Sequence, residues 1–93
     1  MRSRFTAYKL GDEGYIRETW HPQTCPKVLD LDESVEWTRL DVVSTSKGGL
    51  FDSTGVVEFR AYFRVDGQRD KMHEISEFVR LGKSWVYVSG RHT

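Results

Sequence analysis

Glu74 is the residue whose predicted surroundings are best suited to acid–base chemistry. Asp66-Gly67 lies between two runs of alternating apolar and polar residues, and this dipeptide is typical of a two-residue hairpin turn. Such a turn fixes the register of its strands and places Glu74 opposite Phe59, on the apolar face of the predicted sheet. A carboxyl group in an apolar cavity can act as a general acid or base, so Glu74 is the predicted catalytic residue of any enzyme built on this chain.

The same register predicts which side chains surround Glu74. It pairs Ala61 with Met72 and Val57 with Ser76, and a Gly82-Lys83 turn or a four-residue loop would bring the last strand to the same face. A three-residue loop would reverse that last strand. The predicted pocket consists of Tyr8, Trp20, His21, Phe59, Ser76, Phe78, Trp85 and Tyr87.

Two interpretations of this cluster remain open. In the first, the aromatic side chains fill a closed core, and Glu74 and Ser76 hydrogen-bond to the backbone or to helix ends. In the second, the pocket is open, and Tyr8, Tyr87 or His21 polarises a substrate for isomerisation or dehydration. Desolvation alone would favour a neutral Glu74, whereas Arg4 or Arg17 reaching into the pocket would make it an ionised tether between sheet and helix.

Other site chemistries are poorly supported. His21 and Cys25 are four residues apart, but Pro22 and Pro26 are incompatible with the helix that would bring them together as metal ligands. We therefore expect no metal site. Glycines 48, 49, 55, 67, 82 and 90 are expected at turns and not in a phosphate-binding loop, and we expect no cofactor.

The composition limits the class of partner. The 93 residues contain 14 basic and 14 acidic side chains, so no net charge favours binding to nucleic acid. Arg2 and Arg4 are more simply interpreted as a solvated chain end. No apolar run is long enough to span a membrane, and the single cysteine cannot form an intramolecular disulfide. The cytoplasm is the expected compartment.

The elements that must position these residues are helices first and strands second. A helix is predicted at 3–10, capped by Ser3 and ended by Gly11, and a second from 12 to about 20, where Ile16 and Trp20 form an apolar stripe. Asp30 or Asp32 would cap a single turn. Strands are predicted at 37–46, 57–65, 72–80 and 85–89, which gives an α+β fold with helices packed on a curved antiparallel meander of about four strands.

The outer face of that sheet is the candidate interaction surface. Ile75, Val79, Val86 and Val88 are predicted to lie there together, which would favour a homodimer or packing against another domain. His73 is predicted on the same outer face, as the partner of a solvent-side charge.

Five spaced motifs carry a resemblance to a family: Met1–Tyr8, Thr19–Pro22, Glu58–Ala61, His73–Phe78 and Trp85–Val88. Together they resemble the middle domain of the YchJ-type bacterial proteins over almost the whole chain. The resemblance implies one nuclear transport factor 2-like (NTF2-like) domain over residues 1–93, with a cone-shaped sheet closed by helices, and it implies no established reaction.

The resemblance also leaves a difference. Members of that family commonly carry flanking Cys-rich SEC-C zinc motifs, whereas this chain has only Cys25 and cannot build such a site from its own residues. The functions expected are therefore a small-molecule-binding or adaptor domain, with the Glu74 acid–base enzyme as the alternative.

Overall fold

A computed structural model describes residues 1–29 and 31–93. The elements, in chain order, are α1 (Arg2–Leu10), α2 (Glu13–Glu18), β1 (Val35–Lys47), β2 (Thr54–Val65), β3 (Gln68–Leu81) and β4 (Ser84–His92). The strands form one antiparallel sheet in the order β1-β2-β3-β4. The predicted α+β meander is confirmed, and each strand is longer than its alternating apolar pattern indicated.

The β2–β3 hairpin has the predicted register. Asp66 and Gly67 both have positive φ, 51° and 79°, as the tight turn requires. Phe59 is therefore paired with Glu74, as predicted. The β3–β4 connection is the two-residue alternative, because Leu81 pairs with Ser84.

Three register shifts bend the sheet. Two lie in β1, between Trp37 and Arg39 and between Val42 and Ser44. The third lies in the β3–β4 pair, at Glu77/Phe78. Such bulges increase the local twist and curvature of a sheet, which here creates the concave face that α1 covers.

Helix α1 covers this face through aromatic contacts. The rings of Phe5 and Tyr8 lie 6.1 Å and 6.4 Å from the ring of Trp37, which in turn packs on Phe63 at 5.3 Å. The prediction that Ser3 caps the helix was wrong, because Met1 occupies the N-cap position and no side chain caps it. Serine is favoured at N-caps, but a helix can also begin without a capping side chain.

Helix α2 is shorter than predicted. Asp12 caps it through a hydrogen bond from the Tyr15 N–H, and the helix ends at Glu18. Trp20 is not helical but forms a parallel bridge with Tyr87, where the Tyr87 N–H donates to Thr19 O. The helical spacing of Ile16 and Trp20 was misleading because an edge of β4 offers the backbone of residues 19–21 hydrogen bonds that compete with another helical turn.

Other predicted features differ in detail. Asp30 lies outside the described residues, whereas Asp32 accepts hydrogen bonds from the Ser34 N–H and hydroxyl and so stabilises a turn without a helix. Gly55 and Gly90 lie within β2 and β4, not at turns. Within residues 1–29 and 31–93, no helix is long and apolar enough to cross a membrane.

The outer face is less exposed than predicted. Val86 is only 5% exposed, so the expectation that it stands on an open surface was wrong. The segment at 19–21 adds to the β4 edge beside it, an addition that the strand register alone could not reveal. Ile75, Val79 and Val88 are half-buried. Association through this face stays a prediction.

Candidate functional site: the cavity beneath helix α1

A cavity of about 180 Å³ lies between α1 and the concave face of the sheet. Most of its walls are apolar or aromatic, and two of its side chains, Arg4 and Glu74, carry opposite charges. The lining residues are Met1, Arg4, Phe5, Tyr8, Trp37, Phe59, Ala61, Met72, Glu74 and Tyr87.

Glu74 is held at the β4 side of this cavity and is only 9% exposed. The Ser76 hydroxyl donates a hydrogen bond of 2.5 Å to its Oε2. Its other oxygen, Oε1, lies 3.8 Å from Nε2 of His92, whose side chain is largely exposed. One carboxylate oxygen is thus fixed by a buried hydroxyl, while the other has only a loose contact.

Gly90 makes room for the Glu74 carboxyl. A Cβ atom at Gly90 would lie 2.5 Å from Oε2 of Glu74 and 2.8 Å from the hydroxyl oxygen of Tyr87. Any other residue at this position would have to displace both polar groups. The absence of a side chain at residue 90 therefore allows the carboxyl and the phenol to share one corner of the cavity.

Arg4 is the cationic side chain of the cavity and is 4% exposed. Its Nη1 donates to the backbone oxygen of Ile16 at 3.0 Å and to Oγ1 of Thr19 at 2.7 Å. The guanidinium carbon lies 4.7 Å from the ring centroid of Tyr87 and 5.1 Å from that of Trp20, within the range of cation–π attraction. Arg4 therefore joins α1 to the end of α2.

Arg4 has one guanidinium nitrogen without a hydrogen-bond partner in the part of the chain that the structure describes. Its buried Nε makes no hydrogen bond among the described residues, and the hydrogen bonds seen there all use Nη1. Within residues 1–29 and 31–93, no carboxylate forms a salt bridge with it. Burial lowers the pKa of the guanidinium from its usual value, and Tyr8 and Tyr87 oppose that shift.

The two tyrosines respond to the same buried charges. Burial raises the pKa of the Tyr87 phenol to about 12, and negative charge on Glu74 adds to the rise. Burial also raises the pKa of Tyr8, although Arg4 opposes that shift. Both phenols consequently remain neutral hydrogen-bonding groups at physiological pH.

The structure brings three of the eight predicted pocket residues together with Glu74. Tyr8, Phe59, Glu74 and Tyr87 line the cavity, and Ser76 supports Glu74. Trp20 stands behind Tyr87, with ring centroids 5.0 Å apart.

Three predicted pocket residues lie elsewhere. Phe78 and Trp85 line a second, more polar cavity of about 390 Å³, because the curved sheet separates the two ends of β3. His21 accepts a hydrogen bond from the Gln23 N–H through Nδ1, and it does not line the cavity. Pro22 directs the chain into a turn at that point.

The interpretation of Arg4 as part of a solvated chain end was wrong because Arg4 is buried, and Gly90 was expected at a turn but lies in β4 beside the cavity. Arg4 stands one turn from Tyr8, and that i,i+4 spacing places both on one helix face. The spacing was a usable signal for its burial. Gly90 had no comparable signal, since its importance depends on the register shift in the β3–β4 pair.

The sequence motifs and this fold can now be compared with known proteins. Residues 1–90 match the family described as YchJ, middle NTF2-like domain. The chain belongs to this family. As a YchJ-type middle domain, it is 48% identical over 93 residues to a UPF0225 protein of Chromobacterium violaceum, covering 97% of this chain and 69% of that relative. It is 44% identical over 90 residues to a UPF0225 protein of Streptomyces coelicolor, with the same two coverages.

Two solved structures share the fold. A SEC-C motif containing protein from Rhodopseudomonas palustris is 35% identical, with a TM-score of 0.85, and the match covers 100% of this chain and 75% of that one. A sec-c motif containing protein from Psychrobacter arcticus is 29% identical, with a TM-score of 0.76, and covers 96% of this chain and 56% of that one. The NTF2-like architecture predicted from the sequence is confirmed, and this YchJ-type domain corresponds to part of longer relatives.

Proposed function

We propose that this YchJ-type domain binds a small organic molecule in the cavity beneath α1. The observation that carries the proposal is the pair of buried charged side chains, Arg4 and Glu74, that line one cavity without pairing with each other. A domain that needed only a solid core would gain stability from apolar residues at these positions, because desolvating a charge costs free energy. The cytoplasm is the compartment we propose for this binding.

The shape of the site supports a small ligand. An apolar cavity of about 150 Å³ is known to accommodate benzene, so about 180 Å³ suits a molecule with one ring or a short branched chain. Ligand sites typically combine apolar walls with a few placed polar groups. Tyr8, Tyr87 and Glu74 are such groups here.

Acid–base catalysis by Glu74 is the second candidate function. The observation that favours it is the corner shared by the Glu74 carboxyl and the Tyr87 hydroxyl, where a general base and a hydrogen-bond donor would meet one substrate. This function requires the binding site first. A substrate turned over by the wild-type protein but not by E74Q, although E74Q still binds it, would support catalysis.

The binding proposal can be tested by filling the cavity. Ala61 is 2% exposed and lines the cavity, so A61M would occupy much of its volume. We expect a library of small neutral and charged fragments, followed by amide chemical shifts, to yield binders that perturb residues of α1 and of the middle of β3. These perturbations should disappear in A61M.

A control in the second cavity separates occupancy from general disturbance. Thr45 is exposed and lines only the second cavity, which shares Met1 and Arg4 with the first, so T45M enlarges a side chain outside the proposed site. T45M should bind the same fragments as the wild type. Fragments that bind A61M and the wild type equally would contradict the proposed location, and a library without any binder in the cavity would contradict the proposed function.

A further inference from the structure

Arg4 and Glu74 are both buried and both line the cavity, yet they do not form a salt bridge. A cation and an anion enclosed at such exposure usually approach each other, since pairing repays part of the cost of removing them from water. Here the Arg4 guanidinium is turned toward the end of α2 and Glu74 toward Ser76. Arg4 is held by neutral groups, and Glu74 is held by Ser76 with only a loose contact to His92, so neither charge is used to bind the other and both are available to one ligand.

The free edge of Arg4 indicates what it would bind. The guanidinium carries two N–H forks, and a carboxylate binds such a fork through two parallel hydrogen bonds. Nη1 is engaged by Ile16 O and Thr19 Oγ1. The remaining fork is Nε–Nη2; its Nε is buried and lacks a hydrogen-bond partner among residues 1–29 and 31–93, so a carboxylate that binds there must displace the atoms that cover it.

Glu74 presents the complementary group. Oε2 receives the Ser76 hydroxyl, whereas Oε1 has only His92 at 3.8 Å, beyond hydrogen-bond distance. A protonated amine is a compact donor that suits a buried carboxylate. The aromatic walls, which include Tyr87 and Phe59, also favour a cation next to their faces.

We infer that the ligand of this cavity is a small amphoteric molecule: a carboxylate received by Arg4, a protonated amine received by Glu74, and a short apolar body against the aromatic wall. The free apolar amino acids belong to this chemical class. The inference rests on the proposed function, since it names the class of ligand that the same cavity binds. The volume of about 180 Å³ limits the body to a branched aliphatic chain or a single ring.

A structural role for Arg4 explains only part of the arrangement. Its Nη1 contacts and its position over Tyr87 and Trp20 stabilise the α1–α2 corner. Those contacts would be equally satisfied with an apolar residue at position 74. The buried carboxylate across the cavity, with Gly90 leaving space for it, is what a structural role for Arg4 does not require.

Three probes with the same branched aliphatic chain test the inference: leucine, 4-methylpentanoate, which lacks the amine, and 3-methylbutylamine, which lacks the carboxylate. Binding to the wild-type chain is measured by amide chemical shifts at fixed pH and salt. We expect leucine to bind at least about tenfold more tightly than either analogue, because each analogue lacks one charged group and the hydrogen-bonded contact that this group would make. The perturbed amides should be those of α1 and of the residues flanking Glu74.

Two variants assign the contacts. E74Q keeps an acceptor for Ser76 but removes the negative charge, so leucine should lose its advantage over 4-methylpentanoate and keep its advantage over 3-methylbutylamine. R4Q should give the reverse pattern. The comparison among the three probes in the wild-type chain is decisive even when R4Q does not fold.

The results that overturn the inference are distinct from those that overturn the proposed function. If either analogue binds the wild-type cavity as tightly as leucine does, the inference of an amphoteric ligand is refuted. Neutral fragments binding the cavity while none of the three probes does would also refute it and leave small-molecule binding intact. A cavity that binds neither probes nor fragments would refute both.

Discussion

The two faces of the sheet use charge in different ways. On the outer face, charged side chains pair with neighbours: His73 Nε2 lies 2.6 Å from Oε2 of Glu58, and Arg39 Nη2 lies 3.1 Å from Oδ2 of Asp41. On the inner face, Arg4 and Glu74 are more deeply buried and are not paired with each other. Ion pairing is therefore present on the outer face, where water screens the charges, and absent between Arg4 and Glu74 on the inner side, where burial would make pairing most stabilising.

This contrast indicates different roles for the two faces. Partly exposed ion pairs contribute little stability, and their main value is solubility and strand register. Buried charges without a mutual partner cost stability, and such costs are typical of sites that bind or react with another molecule. The inner face is thus the face of the molecule on which function is expected.

Removal of Arg4 should give the largest effect and is the strongest test of the contrast. R4M removes the buried hydrogen bonds that Arg4 donates to Ile16 O and Thr19 Oγ1, so the free energy of unfolding should fall by roughly 2–4 kcal/mol. Urea denaturation followed by tryptophan fluorescence measures it. R2M is the matched control because Arg2 is exposed on the same helix, and its change should stay within about 0.5 kcal/mol. Equal losses in the two variants would contradict the role assigned to Arg4.

The two faces also differ in how far the sequence predicted them. Strict alternation and the Asp66-Gly67 turn were sufficient to place Phe59 opposite Glu74, because a two-residue turn permits one register. The position of Trp20 was not predictable in this way. Its bridge to Tyr87 is a long-range contact, and the local pattern of α2 gave the opposite indication.

In the candidate site, too, the residues placed by the hairpin were predictable from the sequence, and those placed by long-range contacts were not. Phe59 on β2 and Glu74 on β3 both line the cavity, because their facing depends on the hairpin register alone. Phe78 and Trp85 were predicted in the same pocket but line the second cavity. The register shifts curve the sheet, and this curvature decides which cavity each end of a strand faces. Arg4 shares a helix face with Tyr8, but its contacts with Ile16 and Thr19 depend on how α1 packs, which no local pattern supplies.

An alanine at residue 90 tests whether the inner face is built around the Glu74 carboxyl. In G90A the new Cβ would lie 2.5 Å from Oε2, so the carboxyl must move and the Ser76 hydrogen bond should weaken. We expect a loss of about 1–2 kcal/mol in unfolding free energy and shifted amide resonances at Glu74 and Tyr87. S89A, at the neighbouring exposed position, should change neither quantity measurably. Unchanged resonances in G90A would show that the carboxyl does not occupy this corner.

The inner face should also respond to alkaline pH through Tyr87. Its pKa is raised to about 12 in the folded chain from an ordinary value near 10, so the unfolded chain loses its phenol proton first. The stabilising contribution is fully present below pH 10 and is lost as the pH rises toward 12, by less than the roughly 2.7 kcal/mol that two pKa units represent, because solvent screens the half-buried phenol. Denaturation midpoints of the wild type should therefore fall more steeply than those of Y87F across this interval. Parallel curves would contradict the raised pKa.

The outer face should give the smallest effect, and a double-mutant cycle on its shortest ion pair completes the comparison. Glu58 and His73 are both partly exposed, and exposed pairs typically contribute about 0.2–1 kcal/mol. E58Q, H73N and the double variant should therefore yield a coupling energy in this range from urea denaturation. The coupling should decrease at high salt because the pair is open to solvent. A coupling of several kcal/mol would remove the distinction between the faces, since the outer charges would then stabilise the fold as strongly as the buried ones.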